Sequence, residues 1–260
     1  MICIKPDAGK TVPDYSKAAA CTRRCILALA VGWAVVGFAG ASLFIPVSAG
    51  AQTAPSAQEA AAYRGLHAAA YQGALAAVQQ QLAAGAALDA RDSHGRTPLH
   101  VATFQQHHDV IRALTKAGAD LGALENDRYD AVTIASVAND EATLKLLLSL
   151  GASAKLVTSR YDGTALIAAA HLGHAGIVRQ LVEAGAPLDH VNNLHWTAVI
   201  ESIVLGDGGA RHRDTLEVLI RAGAGLGIAD RAGNTPLALA RSRGYAEMVR
   251  MLEAAGAKSP

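Results

Sequence analysis

A Gly-Ala dipeptide returns at nearly constant intervals along this chain. Gly85, Gly118, Gly151, Gly185, Gly223 and Gly256 each precede an alanine, at spacings of 33, 33, 34, 38 and 33 residues. A fixed period of this length marks a chain built from copies of one small unit, each too small to bury its own apolar face and therefore stacked on the next. A second set runs in register with the first: Thr97, Asp130, Thr164, Thr197 and Thr235, spaced 33, 34, 33 and 38. Thr and Asp start helices well because the side-chain oxygen accepts a bond from an orphaned amide of the first turn. Pro98 and Pro236 follow directly, where a missing N–H costs nothing. Gly73, Asn139, Gly173 and Gly244 form a third set, residue types that enter the left-handed region and end a helix sharply. Each segment is predicted to be a cap, a short helix, a left-handed stop, a second helix and a Gly-Ala stop.

In such a stack Leu82, Leu147, Leu181, Leu219 and Leu252 on the second helices should pack against neighbouring units. Ala102, Ala135, Ala169 and Ala240 share a first-helix position where a small side chain lets helices approach closely. Close packing of small residues accounts for a chain that is 51% hydrophobic and only 4% aromatic.

The segment TPLH at 97–100, with Gly95 before it and Ala102 after it, resembles the ankyrin repeat, as do TPLA at 235–238, GTAL at 163–166 and the six closing Gly-Ala pairs. The resemblance covers residues 60–258 and implies an all-α repeat solenoid of about six ankyrin repeats in a curved stack, each a helix pair with a hairpin loop. Residues 130–133 and 197–200 depart from TPLH, and Gln106 stands where the inner Gly belongs in the second repeat. The stretches RYDGTALIAAAHLGH at 160–174 and LGDGGARH at 205–212 are similar to exported bacterial ankyrin repeat proteins.

Residues 1–51 read as an address. Lys5, Lys10, Lys17, Arg23 and Arg24 precede an uncharged apolar run over 25–45, Pro46 breaks it, and Ala49-Gly50-Ala51 offers a peptidase small residues before Gln52. TRRCIL at 22–27 is similar to a twin-arginine export motif. Cleavage would release a periplasmic or otherwise exported chain. The run is also long enough to span a bilayer, so a retained inner-membrane anchor is the alternative. Residues 52–59 are expected to form a short linker, and the extra residues near 206–210 an insertion in the fifth repeat.

Without residues 1–51 the net charge is −2, since that segment holds five of the 23 Lys and Arg and two of the 22 Asp and Glu. No basic surplus exists to hold a nucleic acid. All 3 Cys lie at or before position 25, which removes thiol chemistry and Cys-ligated metal from the repeats. There is no nucleophile elbow, and Gly206-Asp207-Gly208-Gly209 lacks the Lys and Ser/Thr of a phosphate loop. No catalytic residue, metal ligand or cofactor is expected. The resemblance gives His67, His100, His107 and His174 scaffold roles, leaving His94, His171, His195 and His212 as surface candidates, with Asp207, Arg211 and Arg213 beside the last.

The resemblance also implies that a partner lies on the concave side formed by first helices and loop tips. Two residues before each inner stop the column reads Tyr71, Phe104, Val137, His171, Val204 and Ser242. It is mostly apolar, as interaction surfaces are. The loop tips carry His94, Arg128, Tyr129, Arg160, Tyr161, His195 and Trp196, rich in the residue types that dominate interface energies. The expected function is a non-enzymatic protein-binding module, a monomer acting outside the cytoplasm, helping envelope or stress-defence proteins. A membrane-tethered scaffold is the second reading, and a metal-binding or enzymatic protein the third.

Overall fold

The computed structural model describes residues 54–258. The expectations for residues 1–51 lie outside the described residues. Chain order is read most simply as one leading helix and six helix pairs.

Helix α1 (Ala57–Ala62) opens on Ser56, whose hydroxyl accepts from the Glu59 amide while the Glu59 carboxylate accepts from the Ser56 amide at 2.7 Å. This reciprocal cap satisfies two otherwise unpaired donors. It corrects the linker expected over 52–59, because residues 57–59 are the first turn of a helix. Arg96, buried in the second repeat, donates to Asp92 Oδ2 at 2.7 Å and to Glu59 Oε1 at 2.6 Å, tying α1 to the stack.

The pairs are α2 (Gly65–Gln72) with α3 (Leu75–Ala83), α4 (Pro98–Phe104) with α5 (His108–Lys116), α6 (Ala131–Val137) with α7 (Glu141–Ser149), α8 (Ala165–Leu172) with α9 (Ala175–Glu183), α10 (Ala198–Val204) with α11 (Ala210–Arg221), and α12 (Pro236–Ser242) with α13 (Ala246–Ala254). Thr97, Asp130, Thr164, Thr197 and Thr235 each accept from the amide three residues on, as the sequence pattern required. Gly73, Asn139, Gly173 and Gly244 close their first helices at φ of 66, 56, 69 and 70°. Gln106 takes φ 59° as well. Packing of the two flanking helices forces the left-handed stop there despite the Cβ penalty.

First helices pack on first helices along the row, second helices on second helices, and the first-helix layer is the more closely packed although its helices are shorter. Ala102, Ala135, Ala169 and Ala240 sit in that contact, fully buried. Leu147, Leu181, Leu219 and Leu252 are buried on the second helices, while Leu82 in the first repeat is half-buried. The 38-residue spacing in the fifth repeat is divided between the loop before Ala210 and α11 itself, which has 12 residues where the other second helices have 9. The insertion is therefore partly an added helical turn. In the fourth repeat, β1 (Val157–Thr158) and β2 (Gly163–Thr164) form a short antiparallel hairpin with Val157 opposite Thr164.

Candidate protein-interaction surface

The loops entering successive first helices are joined edge to edge. The Asn126 amide donates to the His94 carbonyl at 2.9 Å, Ser159 to Arg128 at 2.8 Å and Asn193 to Tyr161 at 2.9 Å, and Arg231 Nη2 reaches the Asn193 carbonyl at 2.8 Å. Arg128, Ser159, Asp162 and His195 turn the tips with positive φ. Two ion pairs cross between the third and fourth tips, Arg128 with Asp162 at 2.9 Å and Arg160 with Asp127. Both are exposed, so they fix the tips' register more than they add stability.

The structure sorts the predicted contact residues. Tyr161 projects, 45% exposed, while Tyr129 is half-buried. His94 is exposed and lies 2.6 Å from the Glu59 carboxylate. His195 is exposed. Trp196 is only 8% exposed, its amide held by Asn192 Oδ1 at 3.0 Å. The expectation of Trp196 as a surface contact is therefore corrected: a large apolar ring just before the Thr197 cap is stabilised more by burial than by exposure.

His212 is the second correction. It is buried, and its Nε2 donates to the His171 carbonyl at 3.0 Å. His107 Nε2 does the same to the Tyr71 carbonyl at 3.0 Å and His174 Nδ1 to the Ser136 carbonyl at 3.0 Å, while the Tyr245 hydroxyl reaches Gly206 O at 2.9 Å. His212 thus belongs to a set by which the start of the second helix in the second, fourth, fifth and sixth repeats bridges to the repeat before it. Counting forward from the Thr197 cap conceals this register, since the insertion lies between, whereas counting back 11 residues from Gly223 reveals it. Asp207 remains exposed, 3.1 Å from His212 Nδ1. His100, fully buried, caps its own helix, Nδ1 accepting from Thr97 N–H at 3.0 Å and Nε2 donating to Ala123 O at 3.0 Å, and burial holds its pKa down at about 4. His67 donates to the Arg96 carbonyl at 2.9 Å.

On the first-helix face, Tyr71, Phe104, Val137, His171 and Val204 are all half-buried, with Ser242 exposed at the far end. Tyr71 meets the Tyr63 ring edge-on at 6.1 Å. Between these positions lies a group the sequence reading missed. Glu201 in α10 is 4% exposed, with Oε1 accepting from Asn192 Nδ2 at 3.0 Å. Its Oε2 has no hydrogen-bond partner and stands 3.6 Å from Nδ1 of His171 in α8. Burial pushes the Glu201 pKa up to about 8, and burial first, then His212 and His174, lowers that of His171. The corresponding first-helix positions hold Val101, Ile134, Ala168 and Leu239, so a lone Glu in an apolar column was a readable signal. Among the described residues, no three or more His, Cys, Asp or Glu converge as metal ligands, and no helix is long and apolar enough to cross a membrane.

Comparison with known proteins decides the lineage. The family description for ankyrin repeats, in three copies, matches residues 66–158 and again 132–224, together more than half of the chain. This chain belongs to the ankyrin repeat family. YahD of Escherichia coli (strain K12), named for its ankyrin repeats, is 33% identical over 181 residues, covering 69% of this chain and 90% of that protein. The mouse B-cell lymphoma 3 protein homolog is 29% identical over 175 residues, 66% of this chain but 38% of the relative. Among solved structures, an ankyrin repeat domain from Acinetobacter baumannii AYE is 41% identical with a TM-score of 0.70, covering 74% of this chain and 98% of that one. The ankyrin repeat domain of Bcl-3 is 29% identical with a TM-score of 0.68, covering 76% and 88%. An ankyrin stack is a protein-interaction module, and the two surfaces described above are the first-helix face and the loop tips of that stack.

Proposed function

We propose that this ankyrin protein holds one partner protein against the first-helix face and the loop tips, as a monomer exported from the cytoplasm. The observation that carries the reading is the run of half-buried side chains, Tyr71, Phe104, Val137, His171 and Val204, along the face, flanked by the exposed Tyr161 tip. A partner could complete their burial, and the tips, already ordered by mutual hydrogen bonds, lose little entropy on contact. Export rests on the basic segment and apolar run of residues 1–51, and a helper role toward envelope or stress-defence proteins on the likeness at 160–174 and 205–212.

Affinity purification from the native envelope tests the partner reading, using the wild type beside Phe104→Asp with Val204→Asp. A species retained by the wild type and lost with the double variant supports the face. Equal retention by both eliminates it. The second reading, a scaffold tethered by residues 25–45, rests on the length of that apolar run. Intact mass separates the two: a chain starting near Gln52 is the exported module, and a full-length chain in the membrane pellet is the tethered one.

A further inference from the structure

Buried carboxyls elsewhere in this chain are given donors. Asp92 receives the Tyr63 hydroxyl at 2.7 Å and Arg96 Nε at 2.7 Å, and Asp130 receives the Thr133 hydroxyl at 2.6 Å and amide at 2.8 Å. Asp140 leaves one oxygen unpartnered, but its other oxygen caps α7, the ordinary work of an aspartate at a helix start. Glu201 caps nothing. It sits inside a first helix at a position where the other repeats carry apolar residues, and none of the ion pairs among the described residues joins it to a Lys or Arg. Leaving a buried acceptor unmet costs free energy that a Val or Ile at this place would avoid.

We infer that Glu201 and His171 form a receptor for a cationic side chain, a lysine or arginine that a partner polypeptide projects into the first-helix face. The inference rests on the reading that a partner lies on that face, and it specifies one feature of the partner's chemistry.

Three features point to this chemistry. The Glu201 Oε2 has no hydrogen-bond partner, and among the described residues its one ion-pair contact, with His171, stands at 3.6 Å, beyond hydrogen-bond reach. The His171 side chain beside it is 41% exposed, so the covered carboxyl lies next to a half-open ring on the first-helix face. With its proton on Nε2, that ring offers Nδ1 as a second acceptor beside the carboxyl. Two acceptors side by side call for a group with several N–H donors and no acceptor of its own, which is an ammonium or a guanidinium. Val137 and Val204, half-buried on the same face, suit the methylene stem of such a side chain. An anionic group would meet the carboxyl and be repelled. Asn192, held by the Leu194 and Trp196 amides at 3.0 Å each, fixes Oε1 and so keeps the carboxyl from turning away to solvent. In the free protein burial keeps a proton on the carboxyl; an entering cation releases it to solvent, and Oε2 then accepts from the bound group.

The test pans a displayed library of random dodecapeptides against the purified protein and, in parallel, against Glu201→Gln and Val204→Asp. Both variants are checked by circular dichroism and thermal melting. Peptides selected on the wild type and lost with Val204→Asp should share a Lys or Arg at a fixed position. Resynthesis with norleucine for that Lys, or citrulline for that Arg, should weaken binding to the wild type about tenfold or more. Glu201→Gln should bind the original and the neutral peptide alike. The neutral peptide needs no altered protein, so the measurement stands even where a variant folds poorly. Face-binding peptides without a fixed basic residue, or a neutral peptide as tight as its parent, overturn the inference and leave the partner face intact. Selected peptides indifferent to Val204→Asp, or no selected peptides at all, remove the partner face, and the inference falls with it.

Discussion

The Nε2 of His107 donates to the carbonyl oxygen of Tyr71 at 3.0 Å, across the boundary between the first and second repeats. The same bridge recurs two and three repeats along, from His174 to Ser136 and from His212 to His171, each at 3.0 Å. A short helix leaves its last carbonyls unpaired. In this stack the following repeat supplies the donor, so satisfying a local backbone need also joins neighbours. His212→Ala is expected to cost ~1–2 kcal/mol, the usual penalty for leaving a buried acceptor unmet. Urea unfolding measures it, and a midpoint equal to that of the wild type would remove the bridge as a stabilising contact.

Gly173 and Gly244 share a left-handed conformation, at φ 69° and 70°, but not their surroundings. A Cβ on Gly173 would stand 3.1 Å from Arg211 Cβ and 3.2 Å from His212 Cδ2, whereas a Cβ on Gly244 meets nothing within 4 Å. Gly244→Ala should therefore cost only backbone strain, ~1 kcal/mol, and Gly173→Ala that strain plus crowding, ~2 kcal/mol or more. The larger residue in Gly173→Val costs more again. Equal thermal shifts for the two alanine variants would show that the neighbours of Gly173 yield freely.

Trp196 and Tyr161 both come from loop tips and should respond in opposite ways. Trp196→Ala removes a ring that is 8% exposed and is expected to cost ~3 kcal/mol. Tyr161→Ala, on a side chain 45% exposed, should shift stability by less than ~0.5 kcal/mol while weakening partner capture. Thermal melts beside pull-downs separate the two effects, and a normal pull-down with Tyr161→Ala excludes the fourth tip from the interface.

Glu201 makes stability depend on pH in a defined direction. In the unfolded chain its carboxyl loses a proton near its ordinary value of 4.5, but in the folded chain burial delays this to about 8. Between those values the folded state holds the extra proton, so this group's contribution is complete below pH 4.5, declines as pH rises through the window, and levels off above about 8. Glu201→Gln cannot ionise. Relative to the wild type it should gain ~1–3 kcal/mol on going from pH 4 to pH 9, as read from urea midpoints. A constant difference across that range would contradict the burial of an ionisable carboxyl.

Much of the architecture was legible because its signals are local. A hydroxyl or carboxylate can cap the helix that follows it without knowledge of the rest of the fold, so Thr97, Asp130, Thr164, Thr197 and Thr235 announced their helices. Glycine relieves the left-handed stop by its own lack of a Cβ, so Gly73, Gly173 and Gly244 marked theirs. Gln106 shows the limit. It carries no such signal and takes the same conformation because its neighbours demand it.

The candidate surface was legible in outline and misjudged in detail. The column Tyr71, Phe104, Val137, His171 and Val204 could be read from spacing alone, since a helix puts residues of one register on one face. His212 stands 11 residues before Gly223, as His107 and His174 stand before Gly118 and Gly185, but counting forward from the Thr197 cap conceals this because the inserted residues lie between. Trp196 stands in a loop, a place that predicts exposure, yet it is 8% exposed.

The repeat length, five of the caps, the glycine stops and the number of units were thus determined by the sequence alone, through short-range steric and hydrogen-bonding preferences that each residue carries with it. Which side chains lie covered, and that Glu201 turns an unpartnered Oε2 toward His171 of the repeat before, was decided only by the stacked structure. Residues 30 positions apart, from His171 to Glu201, are brought together by the packing of one first helix on the next, and no local preference of either residue encodes that distance.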